Sequence, residues 1–157
     1  MSLTTAKAIS RALERATTGK KLAVDFGCGH SPYASSIKCK CFRIDRLKAV
    51  KPDLVADLDK PIKLQSGCAD VAISLNVVNY LKNKKQFLAE VHRILKPKGL
   101  FVVSCMNFYA PHDHPYDTMS VFSLWKLLRG AGFKVKPVDL VHSGIGGTVI
   151  LLGEKRG

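Results

Sequence analysis

The sequence predicts a doubly wound α/β fold: a mostly parallel sheet with helices on both faces and an antiparallel hairpin at the C-terminal end. Three observations carry that prediction. Short apolar runs alternate with helical periodicity along most of the 157 residues. The first strong run, Leu22 to Phe26, leads directly into a Gly27-x-Gly29 turn. The last two runs are separated only by the glycine-rich stretch Ser143 to Gly147, which suits a hairpin. A chain of this length makes one compact domain. We expect an N-terminal helix over residues 1–19 and the main unit over residues 20–157.

Each element has its own signal. Leu3, Ala6, Ile9, Leu13 and Ala16 fall on one helical face, with Lys7, Arg11 and Arg15 elsewhere, and Gly19 stops the helix. Leu22 to Phe26 reads as a buried strand. Ser31-Pro32 opens a short helix, since proline suits a first turn. Cys39 to Asp45 and Leu54 to Ala56 read as the second and third strands, joined by a connection too short for a full crossover helix. Ala69 to Leu75 is a continuous apolar run, as central parallel strands tend to be. Phe87, Leu88, Val91 and Leu95 repeat at helical spacing until Pro97 and Gly99 end the pattern. Leu100 to Cys105 is the fifth strand. Ser120 caps a helix whose apolar face is Val121, Leu124, Trp125 and Leu128, ended by Gly130-Ala131-Gly132. Phe133 to Val141 and Thr148 to Leu152 form the hairpin.

Composition narrows the function classes. No apolar run approaches the roughly 20 residues that span a bilayer. The five cysteines are odd in number and sit mostly in strand-like runs, as reduced thiols of a cytoplasmic protein would. Cys39-x-Cys41 lacks a second ligand pair at zinc spacing, so no metal site is expected. The basic, Ser/Thr/Ala-rich start could be a mitochondrial presequence instead of a first helix. A net charge of +13, from 25 basic and 12 acidic residues, favours anionic partners such as RNA or a phosphorylated metabolite.

The chemistry concentrates at the strand ends. Glycines at positions 27 and 29 let a backbone approach a ligand closely where the chain leaves a strand. Asp45 follows eighteen positions after Gly27, at the end of the second strand. That spacing suits a carboxylate gripping a ribose diol. Together they point to an adenosine-containing cofactor.

The pattern from Asp25-x-Gly27-x-Gly29 onward resembles the class I S-adenosylmethionine-dependent methyltransferases, and among them the small type 11 subgroup. Ile44-Asp45, Ala56-Asp57-Leu58 and the run Asp70 to Asn76 match in order and spacing. Glu90 to Gly99 is similar to the subgroup's Glu-x-x-Arg-x-Leu-Lys-Pro-Gly-Gly signature, and Ala131-Gly132-Phe133 to its Ala-Gly-Phe. The resemblance covers roughly residues 20 to 155. It implies a Rossmann-like fold and S-adenosylmethionine as cofactor. Gly27, Cys28 and Gly29 would approach the methionyl part, with Asp25 near its ammonium group. Asp45 would accept from both ribose hydroxyls and Arg46 would lie over the adenine. Asp57 would accept the adenine amino proton, with Asp59 the competitor for that role. The backbone N–H of Leu58 would meet a ring nitrogen. Asn76 would hold the ammonium or the substrate. Two positions depart from the family: Ser31 stands where a third glycine is common, and Lys98 where the first glycine of Pro-Gly-Gly stands.

The loop after the fifth strand holds the candidates for a base. His112 and His114 with Asp113 could act as base and orienter, bind a divalent metal, or belong to a polar surface loop, with the surface loop favoured over the metal. His30 could line the cofactor pocket, and His92 reads as structural. A nicotinamide-dependent dehydrogenase is disfavoured because Pro32 interrupts the glycine register and no second catalytic domain exists. A non-catalytic binding module serving a protein or RNA is the other alternative. No Asn/Asp-Pro-Pro-Tyr/Phe follows the fourth strand, which argues against amino methylation of nucleic-acid bases or glutamine. No insertion is large enough to enclose a small substrate, so the acceptor is large or a second subunit completes the pocket.

Overall fold

The structure is a computed structural model that describes residues 3–108, 119–143 and 146–157. Its elements follow the alternation read from the sequence: α1 (Leu3–Thr17), β1 (Leu22–Phe26), β2 (Lys40–Asp45), β3 (Leu54–Val55), β4 (Ala69–Leu75), α2 (Lys84–Ile94), β5 (Leu95–Phe108), α3 (Val121–Gly130), β6 (Phe133–Ser143) and β7 (Gly146–Lys155). One seven-stranded sheet runs in the order β3-β2-β1-β4-β5-β7-β6. β1 to β5 pair in parallel, and β7 pairs antiparallel with both β5 and β6. The chain moves outward from β1 through β2 to β3, then returns to β4 on the other side. That reversal puts a crevice at the carboxyl ends of β1 and β4.

The two faces of the sheet are covered by different helices, and side-chain alternation along the strands feeds both. Ala23, Val71, Ile73 and Val102 face α1, meeting Ala8, Ile9, Ala12, Leu13 and Ala16. Val24, Phe26, Ala72, Phe101 and Val103 face α2 and α3, meeting Phe87, Leu88, Val91, Leu124 and Leu128. The inward face of α1 is rotated slightly from expectation: Ala8 and Ala12 are buried, whereas Ala6 is only half-buried. Among the described residues no helix is long and apolar enough to cross a membrane.

Local chemistry sets the ends of the helices. The Asn83 side chain accepts from the Gln86 N–H at 3.2 Å, and Ser120 accepts from the Ser123 N–H at 3.1 Å. In place of the short helix expected at Ser31-Pro32, a 3₁₀ turn covers Ala34–Ser36. β3 shrinks to two residues because only Leu54 and Val55 pair with β2. β5 begins earlier than Leu100, since Leu95 already pairs with Ala69 before Lys96 to Gly99 bulge out of the ladder. Asp70, facing the bulge, holds it: its Oδ1 accepts from Lys96 Nζ at 2.8 Å, while Oδ2 accepts from the backbone N–H groups of Lys21 and Leu22. Lys98 takes the left-handed conformation that a glycine would occupy, with φ of 61°.

The Glu-x-x-Arg stretch of α2 is a clamp. Arg93 uses all five of its N–H donors: on both oxygens of Glu90, on the carbonyls of Leu64 and Ile62, and on Ser66 Oγ. Glu90 also accepts from the Ile62 N–H at 2.7 Å. The segment between β3 and β4 is thereby fixed to α2.

Candidate functional site

Two cavities open at the switch point. The larger, about 390 Å³, is lined by residues following β1, β2 and β3 and by Leu75, Asn76, Val77, Tyr80 and Leu81. The smaller, about 140 Å³, lies between the glycine turn and α1, with Asp25, Cys28, Ser31, Tyr33 and Leu13 in its wall. Gly27, Leu75 and Asn76 line both, so the two form one crevice.

The glycine turn is built by the neighbouring strand. The N–H groups of Gly27 and Cys28 both donate to the Ile44 carbonyl, at 2.8 and 3.1 Å. Gly27 has φ of 76°, and a Cβ there would fall 2.4 Å from Val77 Cγ2. No other residue fits that position. Gly29 has φ of 50° and nothing within 4 Å of where its Cβ would stand, so its missing side chain leaves open room beside the crevice. Ser31 also has a positive φ of 50°, and its buried hydroxyl has no hydrogen-bond partner among the described residues.

Asp45 ties the turn to its own strand. Its Oδ2 accepts from the Gly29 N–H and its Oδ1 from the Leu47 N–H, both at 2.9 Å. It is buried, yet each oxygen keeps a second lone pair for a ligand hydroxyl. Asp25 is also buried and receives no hydrogen bond from a described residue. Burial, then the nearby Asp45 charge, raises its pKa to about 7, with Arg43 opposing. Burial and the carboxylates of Asp25 and Asp45 likewise push the Cys28 thiol up.

The opposite wall carries Arg46, Leu47, Ala56, Asp57, Leu58 and Asp59. Asp57 Oδ1 accepts from the Asp59 N–H at 3.0 Å, and Asp59 Oδ1 accepts from the Asn83 N–H at 2.7 Å. Both competing carboxylates therefore reach the crevice while bracing its wall. Asn76 directly follows β4 with φ of 56°. Its N–H donates to the Ser104 carbonyl and hydroxyl, and Ser104 Oγ lies 3.2 Å from Asn76 Oδ1. A strained residue at a strand end, held by its neighbour, suits a ligand-facing position.

All nine residues expected to contact the cofactor, Asp25, Gly27, Cys28, Gly29, Asp45, Arg46, Asp57, Leu58 and Asn76, line this crevice. His30 is exposed and lines neither cavity. His92 packs edge-on against Phe133 at 5.3 Å. His112, Asp113 and His114 lie outside the described residues. Sequence reasoning missed Leu13, Leu47, Val77 and Tyr80. Leu47 and Tyr80 are exposed despite their size, at 54% and 45%. The donor set fits a ligand with a cationic amine, a vicinal diol and a flat heterocycle. The lining supplies a buried carboxylate, Asp25, that receives no hydrogen bond from a described residue, a second carboxylate, Asp45, with lone pairs to spare, and apolar side chains beside them.

Comparison with known proteins agrees with this chemistry. A family model described as a methyltransferase domain matches residues 24–103. Ribosomal RNA-processing protein 8 of Arabidopsis thaliana is 34% identical over 86 residues, covering 53% of this chain and 28% of that protein. A Mycolicibacterium smegmatis protein, named as a probable S-adenosylmethionine-dependent methyltransferase, is 32% identical over 93 residues, covering 54% of this chain and 36% of that protein. The chain thus spans well under two thirds of either relative. Among solved structures, the [4+2]-cyclase SpnF matches with a TM-score of 0.77 at 14% identity, over 94% of this chain and 80% of that one. At such identity the likeness is one of fold.

Proposed function

We propose that this chain, which belongs to the type 11 family of class I S-adenosylmethionine-dependent methyltransferases, binds its cofactor in the β1/β4 crevice and transfers a methyl group to a large acceptor. The observation that carries the reading is the pair Asp25 and Asp45, both buried in the crevice, one of them with no hydrogen-bond donor among the described residues. When bound, the cofactor supplies an activated methyl group on a sulfonium. The chain's own residues do the rest by positioning.

Asp25 takes the ammonium, whose positive charge favours the ionised form of its buried carboxylate. Asp45 accepts the ribose hydroxyls with its free lone pairs, while its bonds to Gly29 and Leu47 keep the turn in shape. Leu47, Val77 and Tyr80 flank the base, and Asp57 or Asp59 accepts from its amino group. Gly29 leaves room where a side chain would block entry. α1 belongs to this machinery through Leu13, which forms part of the crevice wall. His112 or His114, oriented by Asp113, takes a proton from the acceptor.

Calorimetric titration with S-adenosylmethionine and S-adenosylhomocysteine tests the reading. The intact chain should bind at micromolar levels. Asp45→Ala should weaken binding about 100-fold, since it removes a charge-assisted acceptor and loosens the turn. Asp45→Asn should fall between. An intact chain that binds neither compound would sink the proposal and favour a non-catalytic module. A cofactor-binding chain whose turnover survives His112→Ala and His114→Ala would sink only the assignment of the base.

A further inference from the structure

A third cavity lies far from this chemistry. α2 and α3 leave a cavity of about 580 Å³ between them, and none of its lining residues lines the crevice. Its walls are mostly small and apolar: Leu88 and Ala89 from α2, Leu127 from α3 and Ala131 just after it, with His92 of α2 as the polar exception. Lys85 and Lys126 stand at its rim, both exposed.

α3 continues this surface with an aromatic and cationic ladder. Phe122 stacks on Trp125, with ring centroids 6.0 Å apart and planes 12° from parallel. Lys126 Nζ lies 4.9 Å from the centre of the Phe122 ring, and the Arg129 guanidinium 4.8 Å from that of Trp125. Phe122 is 61% exposed, far more than core packing needs.

The charge on this face is uncompensated. α3 contains no acidic residue, and the single acid of α2, Glu90, is taken by Arg93 and the Ile62 N–H. Among the described residues, none of Lys85, Lys126 and Arg129 is in an ion pair. A cleft able to hold a ring system, a stacked aromatic pair whose outer ring, Phe122, is exposed, and three cations without an ion pair among the described residues occur together. Each answers one part of a nucleotide chain: bases stack on aromatic faces, and phosphates meet lysine and arginine.

We infer that the α2–α3 face is a docking surface for a single-stranded polynucleotide, separate from the cofactor crevice. The inference stands on this face alone and does not depend on the crevice reading. A membrane suits the face less well. An interfacial helix presents a continuous apolar side, whereas α3 turns Leu124 and Leu128 inward and exposes only Phe122 among its large apolar side chains. A purely acidic protein partner would leave the aromatic stack without a use.

Trp125 is the single tryptophan of the chain, so its emission reports this face. The experiment titrates the intact chain with a labelled 12-nucleotide RNA and with DNA of the same sequence, reading both anisotropy and tryptophan emission. Both strands should bind and quench Trp125, because neither stacking nor phosphate contact needs the 2′-hydroxyl. Three phosphate contacts predict a slope of about −2 for the logarithm of the binding constant against that of salt. Phe122→Ala and Lys126→Glu change exposed side chains, and thermal melts verify that both variants fold. Each should weaken binding about tenfold, the lower range for one stacked base. Both should keep the intact chain's affinity for S-adenosylhomocysteine, so a failure here is distinguishable from a failure at the crevice. Unquenched Trp125, or binding untouched by Lys126→Glu, would overturn the inference. So would equal affinity for phosphatidylglycerol vesicles or for polyglutamate, which would assign the face to membranes or to acidic proteins.

Discussion

The clamp around Arg93 and the crevice around Asp25 both use charged groups withdrawn from water, but they treat those charges in opposite ways. In the clamp every donor of the guanidinium has an acceptor within the chain. Hydrogen bonds from Arg93, against some desolvation, and the bond from Ile62 hold the Glu90 carboxyl below the usual carboxylate range. In the crevice Asp25 has burial and a like-charged neighbour, and its pKa rises to about 7. A charge satisfied by its own chain holds the fold. A charge left to burial is one that a cation from outside would stabilise, which is the role proposed for Asp25. The contrast also separates two parts of one family signature: its glycine–aspartate half lines the crevice, and its Glu-x-x-Arg half fastens a segment.

The largest test of this contrast is pH. Asp25 ionises near pH 4 when unfolded and near 7 when folded, so between those values the folded chain binds more protons. Stability therefore falls as pH rises through that window, by up to about 1.4 kcal/mol per unit, and the loss levels off above 7. From pH 5 to 8 the contribution is about 3 kcal/mol. His92, whose pKa burial and then Lys155 lower, works in the opposite direction below its unfolded value. The difference between intact chain and Asp25→Asn isolates Asp25. Urea unfolding of both at pH 5 and 8 should show the variant gaining on the intact chain at the higher pH. Parallel behaviour of the two would remove the unpaired carboxylate from the argument.

Breaking the clamp comes next. Arg93→Ala leaves Glu90 and three other acceptors without their partner and should cost about 3 kcal/mol. That corresponds to a melting temperature lower by roughly 6–12 °C. Affinity for S-adenosylhomocysteine, measured well below the transition, should stay within about twofold of the intact chain, since no clamp residue lines the crevice. Arg93→Lys should rescue little, because an ammonium cannot reproduce a five-donor planar fork. A clamp variant that melts normally but loses ligand would reverse the division of labour.

Cofactor affinity should follow the same carboxylate. The ligand ammonium favours ionised Asp25, so binding should strengthen about tenfold from pH 6 to pH 8 and release protons near pH 6. Calorimetry in buffers of different ionisation enthalpy reads that release directly. The smallest expected effect is at Lys98, held at φ of 61° on an exposed bulge. Lys98→Gly should relieve about 1 kcal/mol of left-handed strain and raise the melting temperature by 2–4 °C, with ligand affinity unchanged.

Element type was legible in the residues because hydrophobic period is a local property. The apolar run Ala69 to Leu75, the repeat on α2 and the Ser120 cap each declare themselves within a dozen positions. The glycine turn, the acidic strand ends and Asn76 were legible for the same reason, since each follows directly from where a strand must stop. Pairing was not. The sequence could not show that Leu95 joins the ladder before the Lys96–Gly99 bulge, because that depends on Ala69 in another strand. Nor could it show that Asp45 would brace the glycine turn as well as face a ligand, or that Leu13 of α1 would close the crevice. The surface on α3 stayed hidden too, because Phe122, Trp125, Lys126 and Arg129 read as part of an ordinary helix until Lys85 comes beside them from α2. By itself the sequence determined which segments become helix or strand and which residues stand at strand ends. Tertiary structure alone decided which charges find partners, because a partner is set by distance in space and not by distance along the chain.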